Sequence, residues 1–221
     1  MVMKKPVIFL GPSMPISEAQ QILDADYRPP VKRGDVHDTA RDSPPLIGII
    51  DGVFLTTLPP SPLEVLEALR AGVPIMGSAS LGALRAVELE AHGMVGVGRI
   101  FRMYRCRQLV ADDEVALVFS PEDFRPLSEP LVNMRYALSE AVRARIIDPA
   151  QRRTLVMIAK GTYFPRRSWS VLYEEAREHI SDASLDRLAR FVRDGDFNLK
   201  KKDAMALLIA AGKFMRRHGR H

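Results

Sequence analysis

Apolar residues in the first half of the chain come in short blocks bounded by turn formers. Val7–Leu10, Leu46–Asp51 and Val73–Met76 are brief, largely β-branched runs ended by Gly, Pro, Ser or Asp, the pattern of buried strands. Between them the apolar positions change to helical spacing, at Ile16, Ala19, Ile22 and Leu23 and again at Leu63, Leu66 and Leu69. Ser13 is placed to cap a helix over Pro15–Leu23. Ser61, with Pro62 at the first helical position and Glu64 at the capping-box position, starts the next helix, and Ala71-Gly72 end it. Arg28–Asp35 with its two prolines predicts a loop, Val36–Arg41 a helical turn, and Leu55–Pro62 a proline-rich loop. A helix over Leu81–Ala91, a glycine-spaced loop at Gly93–Gly98, a helix over Ile100–Arg107 and a fourth strand at Val115–Phe119 follow. From Ser120 the texture changes. Pro121 and Pro126 mark a linker, and the rest reads as helices over Leu131–Ala144, Pro149–Lys160, Ser168–His179, Ser184–Arg193 and Lys200–Arg217. The expected fold class is α/β, a small parallel-type sheet with flanking helices, followed by an all-α C-terminal lobe. The expected domains are residues 1–125 and 126–221.

Val73–Glu88 is the most suggestive stretch. A strand runs into Gly77-Ser78-Ala79-Ser80-Leu81-Gly82 and then into a helix. Ser78-x-Ser80-x-Gly82 is one residue short of the nucleophile-elbow pattern, in which a sharp strand-to-helix turn exposes a serine. The helix start offers backbone N–H groups to an anion or oxyanion. The other reading is that small residues merely let helix and strand pack closely. Ligands of parallel sheets gather at the carboxyl ends of the strands. Those ends carry Gly11-Pro12-Ser13, Asp51-Gly52 and Gly77–Ser80, so the three segments are predicted to share one pocket.

Composition narrows the chemistry. A chain of 221 residues suits one large domain or a domain with a smaller lobe. The single cysteine, Cys106, excludes a disulfide framework and a Cys-based zinc cluster. Five histidines show no H-x-x-x-H or H-E-x-x-H spacing, which argues against a zinc enzyme. Asp112-Asp113-Glu114 reads as a metal site or as an acidic loop, the loop being favoured. No cofactor is expected. The apolar run after Lys4-Lys5 is too short for a signal peptide and no stretch approaches a membrane span, so a cytoplasmic location is expected. Residues 1–125 hold 13 Lys and Arg against 16 Asp and Glu, and residues 126–221 hold 19 against 11. The basic back half suits an acidic partner. Nucleic acid ranks last among such partners, because aromatics are few there and no nucleic-acid motif occurs.

A serine nucleophile needs a base. No histidine lies near Ser80 in sequence, and a lysine can serve instead. Lys32, in the rigid Pro-Pro loop beside Arg33, pairs with Ser80 most economically. Ser13 is the rival nucleophile and Lys160 a second possible base. Arg85, one turn into the helix, is placed to clamp a carboxylate. Ser13, Ser78, Gly82 and Asp51 complete the expected binding set.

These residues fall in blocks that resemble a known family. Phe9–Ser13 (FLGPS), Pro29–Asp35 (PPVKRGD), Ile47–Phe54 (IGIIDGVF), Gly77–Leu89 (GSASLGALRAVEL), Gly93–Phe101 (GMVGVGRIF) and Asp112–Ala116 (DDEVA) follow the order of the TfuA-like proteins, with a looser match over Ile158–Trp169. The resemblance implies a partner of a YcaO-family enzyme in peptide-backbone thioamidation of a precursor peptide or protein. It implies hydrolysis of the thiocarboxylated C-terminus of a ThiS-like, ubiquitin-fold sulfur carrier by a serine–lysine pair, carried here onto Ser80 and Lys32. The alternative is a non-catalytic adaptor that recruits substrate to YcaO and activates it. Many relatives have His-Lys-Glu where this chain has Pro62-Leu63-Glu64, so a role for a lysine there does not transfer.

Overall fold

The apolar blocks of the first half become strands of one sheet. A computed structural model describes residues 4–53 and 57–218. In it β1 (Val7–Phe9), β2 (Asp26–Arg28), β3 (Ile47–Ile49), β4 (Ile75–Gly77) and β5 (Val95–Gly96) pair in the order β2-β1-β3-β4-β5, every pair parallel. Parallel neighbours need crossover connections. Here these carry α1 (Ile16–Ile22), α2 (Asp35–Arg41), α3 (Pro62–Arg70) and α4 (Leu81–Leu89), and α5 (Arg99–Arg105) follows β5. The α/β class with a parallel sheet and flanking helices is as the sequence predicts. Phe54, Leu55 and Thr56 of the resemblance block and the proline-rich loop lie outside the described residues, as do Met1–Met3.

Three details differ from the expectation. Neither outer strand is among the predicted ones: β2 ends on the first residue of the predicted Arg28–Asp35 loop, and β5 lies inside the glycine-spaced loop. β2 reads Asp-Tyr-Arg, and as an edge strand it remains partly exposed, with Arg28 paired to Asp26 at 2.9 Å. β5 is a two-residue strand inside the glycine-spaced loop. The fourth strand at Val115–Phe119 does not form. Among the described residues its strand pairing is limited to one isolated antiparallel bridge, Phe119 to Pro126. Val115, Ala116 and Leu117 are buried, so the apolar run reports burial without strand pairing.

Successive strand residues face opposite sides of the sheet. Ile8, Leu10, Ile50 and Met76 share a core with Met14 and Ala19 and with Ala204, Leu207, Leu208 and Ala211 of the last helix, α10 (Leu199–His218). The chain therefore divides into one unit of residues 1–112 plus 200–221 and a second of residues 113–199. The sequence pattern predicts the boundary near residue 125, with the last helix in the lobe, whereas that helix packs in the sheet core. An amphipathic pattern shows that a helix has an apolar face, but not which surface it covers. α4 approaches the sheet backbone to backbone. A Cβ on Gly82 would overlap the Ile49 carbonyl, and one on Gly77 would overlap the Gly82 carbonyl.

In the second unit α6 (Leu131–Arg143), α7 (Pro149–Gly161), α8 (Trp169–Ala176) and α9 (Asp182–Asp194) enclose their own core of Leu131, Met134, Leu138, Leu155, Leu172 and Leu188. Asp148 and Gln151 form a complete capping box at the start of α7. Arg167 is fully buried and donates to the carbonyls of Ala159, Thr162 and Asp113 and to the Asp113 carboxylate. Such a charge is tolerated inside only when its donors are satisfied. Glu114 takes a bidentate pair from Arg135 at 2.8 Å. The acidic run thus faces two arginines. Among the described residues no group of three or more His, Cys, Asp or Glu is arranged to hold a metal ion.

Candidate functional site

In a doubly wound sheet of this strand order the topology switches between β1 and β3, and the crevice there is the usual ligand position. Asp51 stands there, just beyond the end of β3. Its Oδ2 accepts the N–H groups of Gly11 and Ser13 at 3.0 and 2.9 Å, and its Oδ1 accepts the Ser13 hydroxyl at 2.7 Å. Lys200, in the first turn of α10, places Nζ 3.8 Å from Oδ1. Both side chains are almost fully buried, Asp51 at 1% and Lys200 at 3% exposure. An isolated buried charge would be costly, and each of these offsets the other. The turn after β1 is therefore organised by a carboxylate of the chain itself. Ser13 does not cap α1, whose N-cap is Pro15 without a side-chain cap bond.

The turn after β4 is held from the same helix. Ala79 takes a left-handed conformation (φ +61°) and is fully buried. That conformation is unfavourable for a residue with a Cβ, and the fold enforces it at this sharp turn. Ser78 donates its hydroxyl to the Asp203 carbonyl at 2.9 Å. The Asp203 carboxylate accepts the N–H groups of Arg99 and Ile100 at 2.8 and 2.6 Å. Burial pushes its pKa up, while those two amides pull the other way. Gly98 (φ +100°) lies against this carboxylate, and a Cβ there would overlap it.

Ser80 is the N-cap residue of α4, buried, and its side chain makes no cap bond. Its carbonyl accepts the Ala83 N–H at 3.0 Å, and the Gly82 N–H donates to the Ile50 carbonyl at 3.4 Å. An oxyanion at this helix start would therefore draw on the Leu81 N–H first. In a nucleophile elbow the serine itself occupies the strained position. Here Ala79 does, and Ser80 follows it.

Lys32 reaches the same end of the sheet through its backbone. The preceding Val31 bridges to Gly52, with Val31 N–H donating to the Asp51 carbonyl at 2.9 Å. Gly52 packs on the side chain of Leu81, the residue after Ser80. The Lys32 side chain is exposed, and the Lys32 backbone N–H donates to the Asp35 carboxylate at 2.9 Å. The loop is pinned by Glu64, whose carboxylate accepts the N–H groups of Gly34, Val36 and His37. Ser61 accepts the Glu64 N–H as the capping pattern predicts, but the Glu64 side chain serves α2 instead of closing a box on its own helix. Arg85 donates to the Pro60 carbonyl at 2.9 Å and pairs with Glu88 at 2.6 Å, so it braces the segment before α3. Lys160 lies in the second unit, on α7.

The structure thus joins Asp51 to Ser13, brings the Lys32 loop beside them, and sets Ser78 and Ser80 on the adjacent turn. Two residues of this cluster, Lys200 and Asp203, escape sequence reasoning. Their signal is weak but present: charges at 200 and 203 stand in register with Ala204, Leu207 and Leu208 on the apolar face of an amphipathic helix.

The fold and site define a parallel α/β protein with a serine-bearing strand–helix turn beside a buried carboxylate. The family model of the TfuA-like proteins matches residues 51–168, more than half of the chain. The chain belongs to that family, which is associated with thioamidation and YcaO enzymes. The match takes in Asp51, Ser78, Ser80, Gly82 and Arg85 but not Ser13, Lys32 or Lys200. No curated protein matches the chain.

Proposed function

We propose that this protein supplies sulfide to a YcaO enzyme by hydrolysing the thiocarboxylated C-terminus of a ThiS-like carrier, with Ser80 as nucleophile and Lys32 as the base. The observation that supports it is the differing fate of three serines at one sheet end. Ser13 and Ser78 donate their hydroxyl protons to Asp51 and to the Asp203 carbonyl, whereas Ser80 caps nothing and stands at a helix start. Ser80 Oγ attacks the thiocarboxylate carbon as its proton passes to Lys32. The C–S bond breaks, an ester to Ser80 forms, and sulfur leaves as hydrosulfide carrying that proton. Water then cleaves the ester, which returns Ser80 and leaves the carrier as a carboxylate with release of one proton. The Leu81 N–H stabilises the oxyanion of each addition step. The burial of Ser80 suits a slim, extended chain end. The precursor peptide or protein is thioamidated on the YcaO partner.

An adaptor reading draws on Ala79, since an elbow whose strained position lacks a hydroxyl also serves as a cradle for a peptide tail. The two separate on mixing the purified protein in catalytic amount with a thiocarboxylated carrier. The hydrolase releases many equivalents of sulfide and leaves an equal amount of carboxylated carrier, and the adaptor releases none without YcaO.

A further inference from the structure

Lys200 stands outside the sequence-predicted site and outside the family match, yet it occupies the centre of the strand-end cluster. One helical turn of α10, residues 200–203, reaches both functional turns. Lys200 faces Asp51, which gathers two N–H groups and one hydroxyl from the Gly11–Ser13 turn. Asp203 takes the Ser78 hydroxyl on its carbonyl and the two first amides of α5 on its carboxylate. Both members of the Lys200–Asp51 pair are almost fully buried, and removing one partner of such a pair leaves the other without its counter-charge. Two turns gripped by one rigid helical turn hold a fixed separation, and acyl transfer is sensitive to errors of that kind.

We propose that Lys200 is a positioning residue of the acyl-transfer site. Its ammonium pairs with the Asp51 carboxylate, and the pair fixes the turn after β1 against the Ser78–Ser80 turn where the thiocarboxylate reacts. This rests on the hydrolytic reading above.

The test compares sulfide release from a thiocarboxylated carrier and thermal unfolding in four proteins: wild type, Lys200→Met, Lys200→Arg and Asp51→Asn/Lys200→Met. Lys200→Met lowers kcat by roughly tenfold or more with KM changed less than about twofold, the mark of lost positioning and not of lost binding. Lys200→Arg restores most of kcat. The double variant carries no stranded charge, so its melting temperature returns toward wild type while its kcat stays low. A merely structural pair would instead return activity together with stability. Folded Lys200→Met with wild-type kcat, or a double variant both stable and fast, overturns the proposal. Where Lys200→Met does not fold, the double variant decides. A wild-type protein that releases no sulfide overturns the hydrolytic reading and this proposal with it. Release by wild type with no response to any Lys200 change overturns this proposal alone.

Discussion

Three serine hydroxyls at one end of the sheet have different tasks. The Ser13 hydroxyl belongs to a charge-assisted network, so Ser13→Ala is expected to reduce stability by about 1–3 kcal/mol, read from urea unfolding. Asp203 links the Ser78 turn to α5 and gives a pH signature. Burial holds its carboxyl above the ordinary carboxylate value in the folded chain. A group with a raised native pKa binds its proton more tightly folded than unfolded. Its contribution is therefore fully present below the unfolded value and is lost as pH rises through the native one. The stability of wild type minus that of Asp203→Asn should fall from about pH 4 upward and then level off. An equal slope in the two proteins would show that Asp203 is not the titrating group. Asp51 and Ser13 are legible in sequence because Asp51 ends an apolar strand run and Ser13 stands in the turn that ends another. Lys200 is not, because nothing local marks a lysine far along the chain as the partner of a carboxylate near its start.

At the scale of elements, the central strands β1, β3 and β4 could be read directly, since each is an apolar run between turn residues. The edge strands could not. β2 is polar and β5 is two residues long, and both owe their form to pairing with a neighbour. The strand-to-helix turn was legible as small residues, but its geometry was not. The left-handed position falls on Ala79, and the closeness of α4 to the sheet depends on Gly82. Gly82→Ala forces a methyl group against the Ile49 carbonyl, where overpacking typically costs about 1–3 kcal/mol and moves backbone. The expected result is a lower melting temperature together with loss of sulfide release, because the displaced element carries Ser80. The last helix makes the same point about context. Leu207 is fully buried in the sheet core, and Leu207→Ala should cost about 2–5 kcal/mol in chemical unfolding.

Across the whole molecule, the chain leaves the sheet unit at residue 112 and rejoins it at residue 200. The intervening residues 113–199 hold a complete helical core, including the buried Arg167 and its partners. Expressed alone, this segment should give a helical circular dichroism spectrum and a cooperative melt. No helix among the described residues is long and apolar enough to cross a membrane. The family assignment places the chain with thioamidation systems, and the chemistry proposed for it converges on a single side chain. The most direct test is the rate of sulfide release from a thiocarboxylated carrier by folded Ser80→Ala, measured beside wild type. The expected result is turnover by wild type and a loss of at least about a thousandfold in the variant, the scale on which removing a nucleophile acts. Sulfide released by Ser80→Ala at the wild-type rate would contradict it.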